Sequence, residues 1–300
     1  MSTEPPTGIG WIGLGAMGGP MAGVLARAGF AVSAFDLSEE LVAAAAEAGA
    51  TPAPSAGDAV AGAEVVGLVV ATPAQVEAVL FGGDDPLIGK LAPGSVVIVF
   101  ATIGPEAAIA TAARLAEVGI GFVDAPISGG SARAATGDLL IMVGGDPAVV
   151  QQVRPVLDAL AATITVVGPL PGDGQKLKLV NQLLCGVHVA VAAEALAYAE
   201  SLGLDVTASW EGIKDGAAHS FMLSDRGARM VTYPDAEVRS ALDIMHKDLG
   251  LVADSARTAG HPAPIATAAL QQFVAGRRAG LGRADDSAMI EVARGPRNQG

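Results

Sequence analysis

Ile9-Gly10-Trp11-Ile12-Gly13-Leu14-Gly15-Ala16-Met17-Gly18 runs from an apolar strand-like segment into a G-x-G-x-x-G at the start of a helix-like one. In a chain with 39 glycines that pattern alone fits a structural turn equally well. Strand before, helix after and a place near the N-terminus together favour a dinucleotide site, with Gly13, Leu14, Gly15, Ala16, Met17 and Gly18 as the cofactor-binding loop. Gly13 permits the tight turn, Gly15 lets backbone approach a pyrophosphate, and Gly18 lets helix and strand pack closely, while the helix N-terminus stabilises negative charge. Asp36 closes the next strand-like run eighteen positions after Gly18. There a carboxylate accepts hydrogen bonds from ribose hydroxyls and repels a 2′-phosphate, which points to NAD; capping of the helix after Ser38 is the structural alternative.

Outward from this motif, short Val/Ile/Gly runs alternate with Ala-rich helical periods, the pattern of βαβ units. Strands are expected at Ile9 to Gly13, Ala31 to Asp36, Val65 to Val70, Val96 to Phe100, Gly121 to Asp124, Leu139 to Val143 and Thr163 to Val167, with helices opening near Met17, Ser38, Pro73 and Pro105. The breaker cluster Gly168-Pro169-Leu170-Pro171-Gly172-Asp173-Gly174 ends the alternation. From Gln175 to Ser201 there is no proline and one internal glycine, Gly186, which predicts a helix of about 27 residues and about 40 Å. Segments near Phe221 to Met230, Ala241 to Ala259 and Pro264 to Arg278 read as further helices. The expected fold is therefore α/β: a Rossmann-type domain with a mostly parallel sheet over residues 1–168, joined through the long helix to an all-α domain over 169–300.

Composition narrows the class. The 300 residues are 51% hydrophobic, enough for a sizeable core, and carry a net charge of −13 that argues against nucleic acid and anionic lipid as partners. The single cysteine, Cys185, excludes an intrachain disulfide, and no His/carboxylate spacing suggests a metal. The stretch MSTEPPT has no signal-like pattern, no run reaches about 18 uninterrupted apolar residues, and the last residues, GPRNQG, read as frayed. A cytoplasmic protein without a membrane partner is expected.

Gly174, Lys178 and Asn181 recur at i, i+4, i+7 on one face of the long helix, with the glycine read as leaving room beside the lysine. Taken alone, such a pair also fits a snorkelling lysine and a packed amide. GLGAMGGPM at Gly13 to Met21, DAPISGG at Asp124 to Gly130, GDGQKLKLVNQ at Gly172 to Gln182 and KDLGL at Lys247 to Leu251 together make the chain resemble the β-hydroxyacid dehydrogenase family over residues 8 to 293. The resemblance implies that Lys178 is the catalytic acid/base and that Asn181 orients the substrate hydroxyl. It further implies that Ser128, Gly129 and Gly130 hold the substrate carboxylate and that Lys247 sits by the cofactor. Read without it, Ser-Gly-Gly is a turn before a helix expected at Ala132, and Lys247 is a salt-bridging surface residue. Thr102 matches the second residue of the family's serine-threonine pair at the nicotinamide, although Ala101 stands where the serine would be.

The implied reaction moves a hydride between a small hydroxy acid and nicotinamide, with Lys178 handling the hydroxyl proton. An ordinary lysine, pKa about 10.4, is charged at neutral pH. Burial and a positive nicotinamide ring lower it, whereas a substrate carboxylate raises it. The stretch QLLCGVHVAVAAEALAYAESLGLD with GAAHSFMLSDR is most similar to the L-threonate dehydrogenase branch, although His219 replaces an expected asparagine. Tartronate semialdehyde reductase and 3-hydroxyisobutyrate dehydrogenase are the enzymatic alternatives, and a catalytically silent NAD-binding scaffold the non-enzymatic one. His219 and His246 are rival acid/base candidates by their ordinary titration range, but neither falls in a motif. The family's habit of burying the helical domain implies a homodimer or homotetramer.

Overall fold

The structure, a computed structural model, describes residues 8–83 and 86–295; the expectations for MSTEPPT and for the chain after Gly295 lie outside them. The chain divides into two compact units between Lys178 and Leu179.

The first unit alternates β1 (Gly8–Ile12), α1 (Gly18–Arg27), β2 (Ala31–Phe35), α2 (Glu39–Glu47), β3 (Thr51–Pro52), α3 (Ala56–Val60), β4 (Val65–Leu68), α4 (Pro73–Phe81), β5 (Val96–Val99), α5 (Pro105–Ala116) and β6 (Gly121–Asp124). It continues through β7 (Ile127–Ser128), α6 (Gly130–Thr136), β8 (Leu139–Gly144), α7 (Pro147–Leu160) and β9 (Ala161–Gly168) into α8 (Asp173–Ser201). The strands form one sheet in the order β3-β2-β1-β4-β5-β6-β8-β7, with β9 on β8. Its first six strands are parallel in the order 3-2-1-4-5-6, the arrangement of a dinucleotide-binding sheet, and β8 runs antiparallel to β6.

Strand periodicity divides the core between the two faces of the sheet. Ile9, Trp11, Val96 and Ile98 pack with α1 and α7, while Ile12, Val97 and Val99 pack with α3, α4 and α5. Thr72 closes a capping box at the start of α4 with Gln75, and Pro73 and Pro105 occupy first helical turns, so those expected starts are observed. Two short strands went unread. β3 and β7 have two residues each and no period to detect.

Helix α8 is 29 residues long and begins two residues before the expected Gln175. Its first turns bond to β6, so the division between units falls inside the helix and not at the breaker cluster after Gly168. Among the described residues it is the one helix long and apolar enough to cross a membrane by length and composition. Its Gln175, Lys178 and Gln182 are nonetheless buried polar residues with protein partners.

The second unit packs the rest of α8 with α9 (Val206–Ile213), α10 (Phe221–Met230), α11 (Leu242–Thr258), α12 (Pro264–Arg278) and α13 (Met289–Arg294). Val189, Ala193 and Leu196 of α8 meet Met245 and Leu249 of α11 and Phe273 of α12. Gly186 is the contact point: a Cβ there would lie 2.7 Å from the Leu249 side chain. The expected absence of strands holds among the described residues of this unit, apart from one isolated bridge, Ala241 to Asp285.

Candidate active site

Each glycine of the loop between β1 and α1 has its own steric reason. Gly13 has φ +96° and a Cβ on it would lie 2.5 Å from the Val69 carbonyl oxygen. Gly15 has no atom within 4 Å of a Cβ position, so the loop presents open space there. At Gly18 a Cβ would run into the Gly13 carbonyl, and Trp11 Nε1 donates to the Gly18 carbonyl at 2.9 Å, pinning the first turn of α1 to the sheet. Turn, opening and close packing are what a pyrophosphate-binding loop requires. The loop therefore fits a dinucleotide by its own geometry.

Asp36 is tied to that loop. Its Oδ2 accepts the Leu14 N–H at 2.7 Å and its Oδ1 accepts the Ser38 N–H at 3.0 Å. Both readings of this residue thus have a geometric basis, since each oxygen keeps a lone pair for a further donor. Leu14 itself is buried in the core and has given its N–H to Asp36, while Ala16 is exposed and Met17 packs partly against the core.

Along the same C-terminal edge of the parallel strands, β6 finishes at Asp124, which is fully buried. Its carboxylate accepts the Gly172 N–H at 2.7 Å and the Gln175 N–H at 2.8 Å, satisfying backbone donors at the start of α8. The room expected beside Gly174 is filled: a Cβ there would run into the Met142 carbonyl and come within 2.8 Å of Asp124 Oδ2. That glycine admits the sheet, not a ligand. Burial pushes the Asp124 carboxyl up to about 6, against the lowering by the Gly172 and Gln175 N–H groups.

A raised folded-state pKa means that native protein holds a proton, between the ordinary 3.8 and about 6, that the unfolded chain has released. The associated stabilisation is full below 3.8 and lost as pH rises through about 6; it amounts to about 3 kcal/mol. Denaturant unfolding at about pH 4 and pH 7 should show the wild type losing that much more than Asp124→Asn. Equal losses contradict the assignment.

Three residues after Gln175, one turn further along α8, stands Lys178. Lys178 is 6% exposed and its Nζ donates to the Ile127 carbonyl oxygen at 2.8 Å. Ile127 directly precedes Ser128, Gly129 and Gly130, where α6 starts two residues before the expected Ala132. Gly129 and Gly130 have φ of +144° and +74°, a pair of backbone conformations that favours glycine, and no atom approaches a Cβ position on Gly130. Thr102 is half-buried in the loop after β5, and the side chain of Gln175 bonds to the residues on both sides of it.

In the second unit, Asn181 and Lys247 are linked through two residues that sequence reading left without a role. Asn181 Nδ2 donates to Gln182 Oε1 at 2.8 Å and approaches Cys185 Sγ at 3.4 Å. Gln182 Nε2 donates to Asp248 Oδ2, and Lys247 Nζ pairs with Asp248 Oδ1 at 2.7 Å. Lys247 is thus an ion-pairing lysine, but its partner is buried. The available signal was amide side chains at positions 175 and 182 among the leucines and valines of α8, because a buried amide requires partners. His219 Nδ1 contacts the Lys214 carbonyl oxygen at 2.8 Å, and burial with nearby Arg277 lowers the pKa of His246. Among the described residues no cluster of His, Cys, Asp and Glu could hold a metal.

Comparison with known proteins bears on the whole chain. A family described as the NAD binding domain of 6-phosphogluconate dehydrogenase matches residues 8–168, and one described as the NAD-binding domain of NADP-dependent 3-hydroxyisobutyrate dehydrogenase matches 172–293. L-threonate dehydrogenase of Cupriavidus necator is 42% identical over 95% of this chain and 95% of its own length. L-threonate dehydrogenase of Pectobacterium atrosepticum is 38% identical over 95% of this chain and 93% of its own. A crystal structure of 3-hydroxyisobutyrate dehydrogenase from Salmonella typhimurium superimposes with a TM-score of 0.89 at 38% identity, covering 94% of this chain and 98% of that one.

Proposed function

The chain belongs to the β-hydroxyacid dehydrogenase family and is an NAD-dependent oxidoreductase of small hydroxy acids, and we propose that it oxidises the four-carbon polyhydroxy acid L-threonate with Lys178 as acid/base. The observation that carries the reading is the nearly buried Lys178 ammonium held 2.8 Å from the Ile127 carbonyl, immediately before the glycine pair. A proton-transfer group and an anion seat thereby become neighbours. Relatives named for L-threonate support the substrate.

NAD, when bound, supplies the hydride acceptor at nicotinamide C4. Gly13 to Gly18 would receive the pyrophosphate at the N-terminus of α1, and Asp36 would accept the adenosine ribose hydroxyls with its remaining lone pairs. Thr102 would contact the nicotinamide, and Lys247, paired with Asp248, would serve the cofactor. Ser128 and the N–H groups of Gly129 and Gly130 hold the substrate carboxylate. Asn181, with Nδ2 committed to Gln182, offers Oδ1 to the substrate hydroxyl. In oxidation the neutral Lys178 amine takes the hydroxyl proton onto Nζ; in reduction it returns it.

The test is NAD and NADP reduction by purified protein with L-threonate, glycerate and 3-hydroxyisobutyrate. The largest kcat/KM is expected for L-threonate with NAD, and a tenfold preference for another acid, or no turnover of any, defeats the reading. The sequence Asp36-Leu37-Ser38-Glu39-Glu40 carries three carboxylates and no arginine for a 2′-phosphate. Asp36→Ala should reduce the preference for NAD over NADP by about tenfold or more, about 1.4 kcal/mol. Equal use of both cofactors by the wild type contradicts this.

Association is proposed through α8. Val180, Leu184, Val191 and Tyr198 are each at least 50% exposed and fall within about 40° of one another around α8, an apolar stripe of the kind that marks an interface. Light scattering at micromolar concentration should give a dimer or tetramer of the 29.7 kDa chain, and Val191→Glu with Tyr198→Glu should shift it toward monomer. A monomeric wild type contradicts the proposal.

A further inference from the structure

Thr102 and Lys178 are distant in sequence, and one buried side chain registers the loop of the first against the helix of the second. Gln175 stands three residues before Lys178 on α8 and is completely buried. Its Oε1 accepts the Ile103 N–H at 2.9 Å and the Gly104 N–H at 3.1 Å, and its Nε2 donates to the Ala101 carbonyl oxygen at 2.9 Å. The three bonds bracket Thr102 on both sides. Only a group that accepts and donates at its tip can make them all, which an amide does without charge.

Anchoring of the helix start does not by itself require this side chain. Asp124 already takes the Gly172 N–H and the backbone N–H of Gln175 itself. What the amide adds is directed wholly at residues 101, 103 and 104. A methionine would fill much the same volume with no desolvation cost of its own, but it would leave the two buried N–H groups and the carbonyl without this partner. Displacing the loop against the helix by even about 1 Å costs up to about 10²-fold in rate for a reaction that depends on alignment.

We propose that Gln175 is a positioning residue for hydride transfer, fixing the nicotinamide contact at Thr102 relative to the proton-transfer group of Lys178. The proposal rests on the roles given above to Thr102 and Lys178. Its distinct content is that one amide sets their register.

Gln175→Glu and Gln175→Met test it, assayed against wild type across pH with hydroxy acid deuterated at its carbinol carbon as a second substrate. In Gln175→Glu, the neutral carboxyl keeps all three bonds: its carbonyl accepts from Ile103 and Gly104, and its O–H donates to Ala101. Once ionised it has no donor and sets a charge against the Ala101 carbonyl. Burial raises its pKa above the ordinary value of about 4.3, bringing the transition into the assay range. The kcat ratio of Gln175→Glu to wild type should therefore be near one at low pH and fall about tenfold or more as the carboxyl ionises, with little change in KM for the acid and a larger isotope effect. Gln175→Met should be slowed by about tenfold to 10²-fold by a factor constant with pH. If the methionine variant does not fold, Gln175→Glu decides, because its neutral form is isosteric and fully bonded. For Gln175→Glu, a ratio that stays at one throughout, or a loss equal at every pH, overturns the proposal. Failure of the Lys178 reading shows separately, as turnover retained in Lys178→Ala.

Discussion

Lys178→Ala and Lys178→Met lower kcat by about 10² to 10⁴, the usual contribution of a positioned proton-transfer group, while NAD affinity changes little. Lys178 has no part in the glycine loop, and its Nζ is held by the Ile127 carbonyl. Removal of the amine therefore takes away proton transfer without reaching the pyrophosphate seat. In the oxidation direction the wild-type rate rises with pH as the amine loses its proton, and this limb disappears in both variants. His219→Ala and His246→Ala keep it, because neither ring lies in a motif the reaction uses. Most of the turnover surviving in Lys178→Ala, or loss of the limb in a histidine variant, contradicts the assignment. Rates and NAD affinity measured on the same preparations separate binding from chemistry.

Two glycines three residues apart should fail in opposite ways. Gly15→Val meets no protein atom near its Cβ and needs no left-handed backbone, so the fold tolerates it. The new side chain occupies the space through which a pyrophosphate would approach, and NAD affinity should fall about 10²-fold, about 2.7 kcal/mol. Gly18→Ala instead drives a methyl into the Gly13 carbonyl and strains the turn that Trp11 pins. Its cost should be stability, about 1–3 kcal/mol or a fall in Tm of about 5 °C, with binding lost as a consequence. Thermal melting and NAD titration of both variants check this; a destabilised Gly15→Val, or one that binds NAD normally, contradicts the reading of the loop.

The N-terminal architecture was legible because its signals are local. Gly13, Gly15 and Gly18 constrain a single turn, Pro73 and Pro105 mark first helical turns, and runs such as Val96 to Val99 divide their side chains between two faces of a sheet. Helices α9 and α13 were not legible: they are short, and α9 has no buried residue to mark an apolar stripe. Gly174 was misread for a different reason. A glycine before a lysine on a helix looks like space, and only the strand pairing brings Met142 and Asp124 into it.

The residues that support the site show the same limit. Gln175 finds Ile103 at a separation of 72 residues, and Gln182 finds Asp248 at 66. Such partners depend on tertiary packing, which helical spacing does not encode. In the sequence Gln175 stands only as the start of the expected long helix and Gln182 as the last residue of the GDGQKLKLVNQ motif. Their partners make them supports, one for the Thr102 loop and the other for the pair Asn181 and Lys247.

Hydride transfer itself is tested most directly by following deuterium from L-threonate labelled on its carbon skeleton into the nicotinamide, by mass spectrometry of the reduced cofactor, for wild type and Lys178→Met. The account predicts one deuterium gained per NADH formed by the wild type and a normal primary isotope effect on its turnover. With Lys178→Met, labelled cofactor should form at least about 10²-fold more slowly although NAD is still bound. Reduced cofactor without label, no reduction by the wild type, or undiminished transfer in Lys178→Met would contradict it.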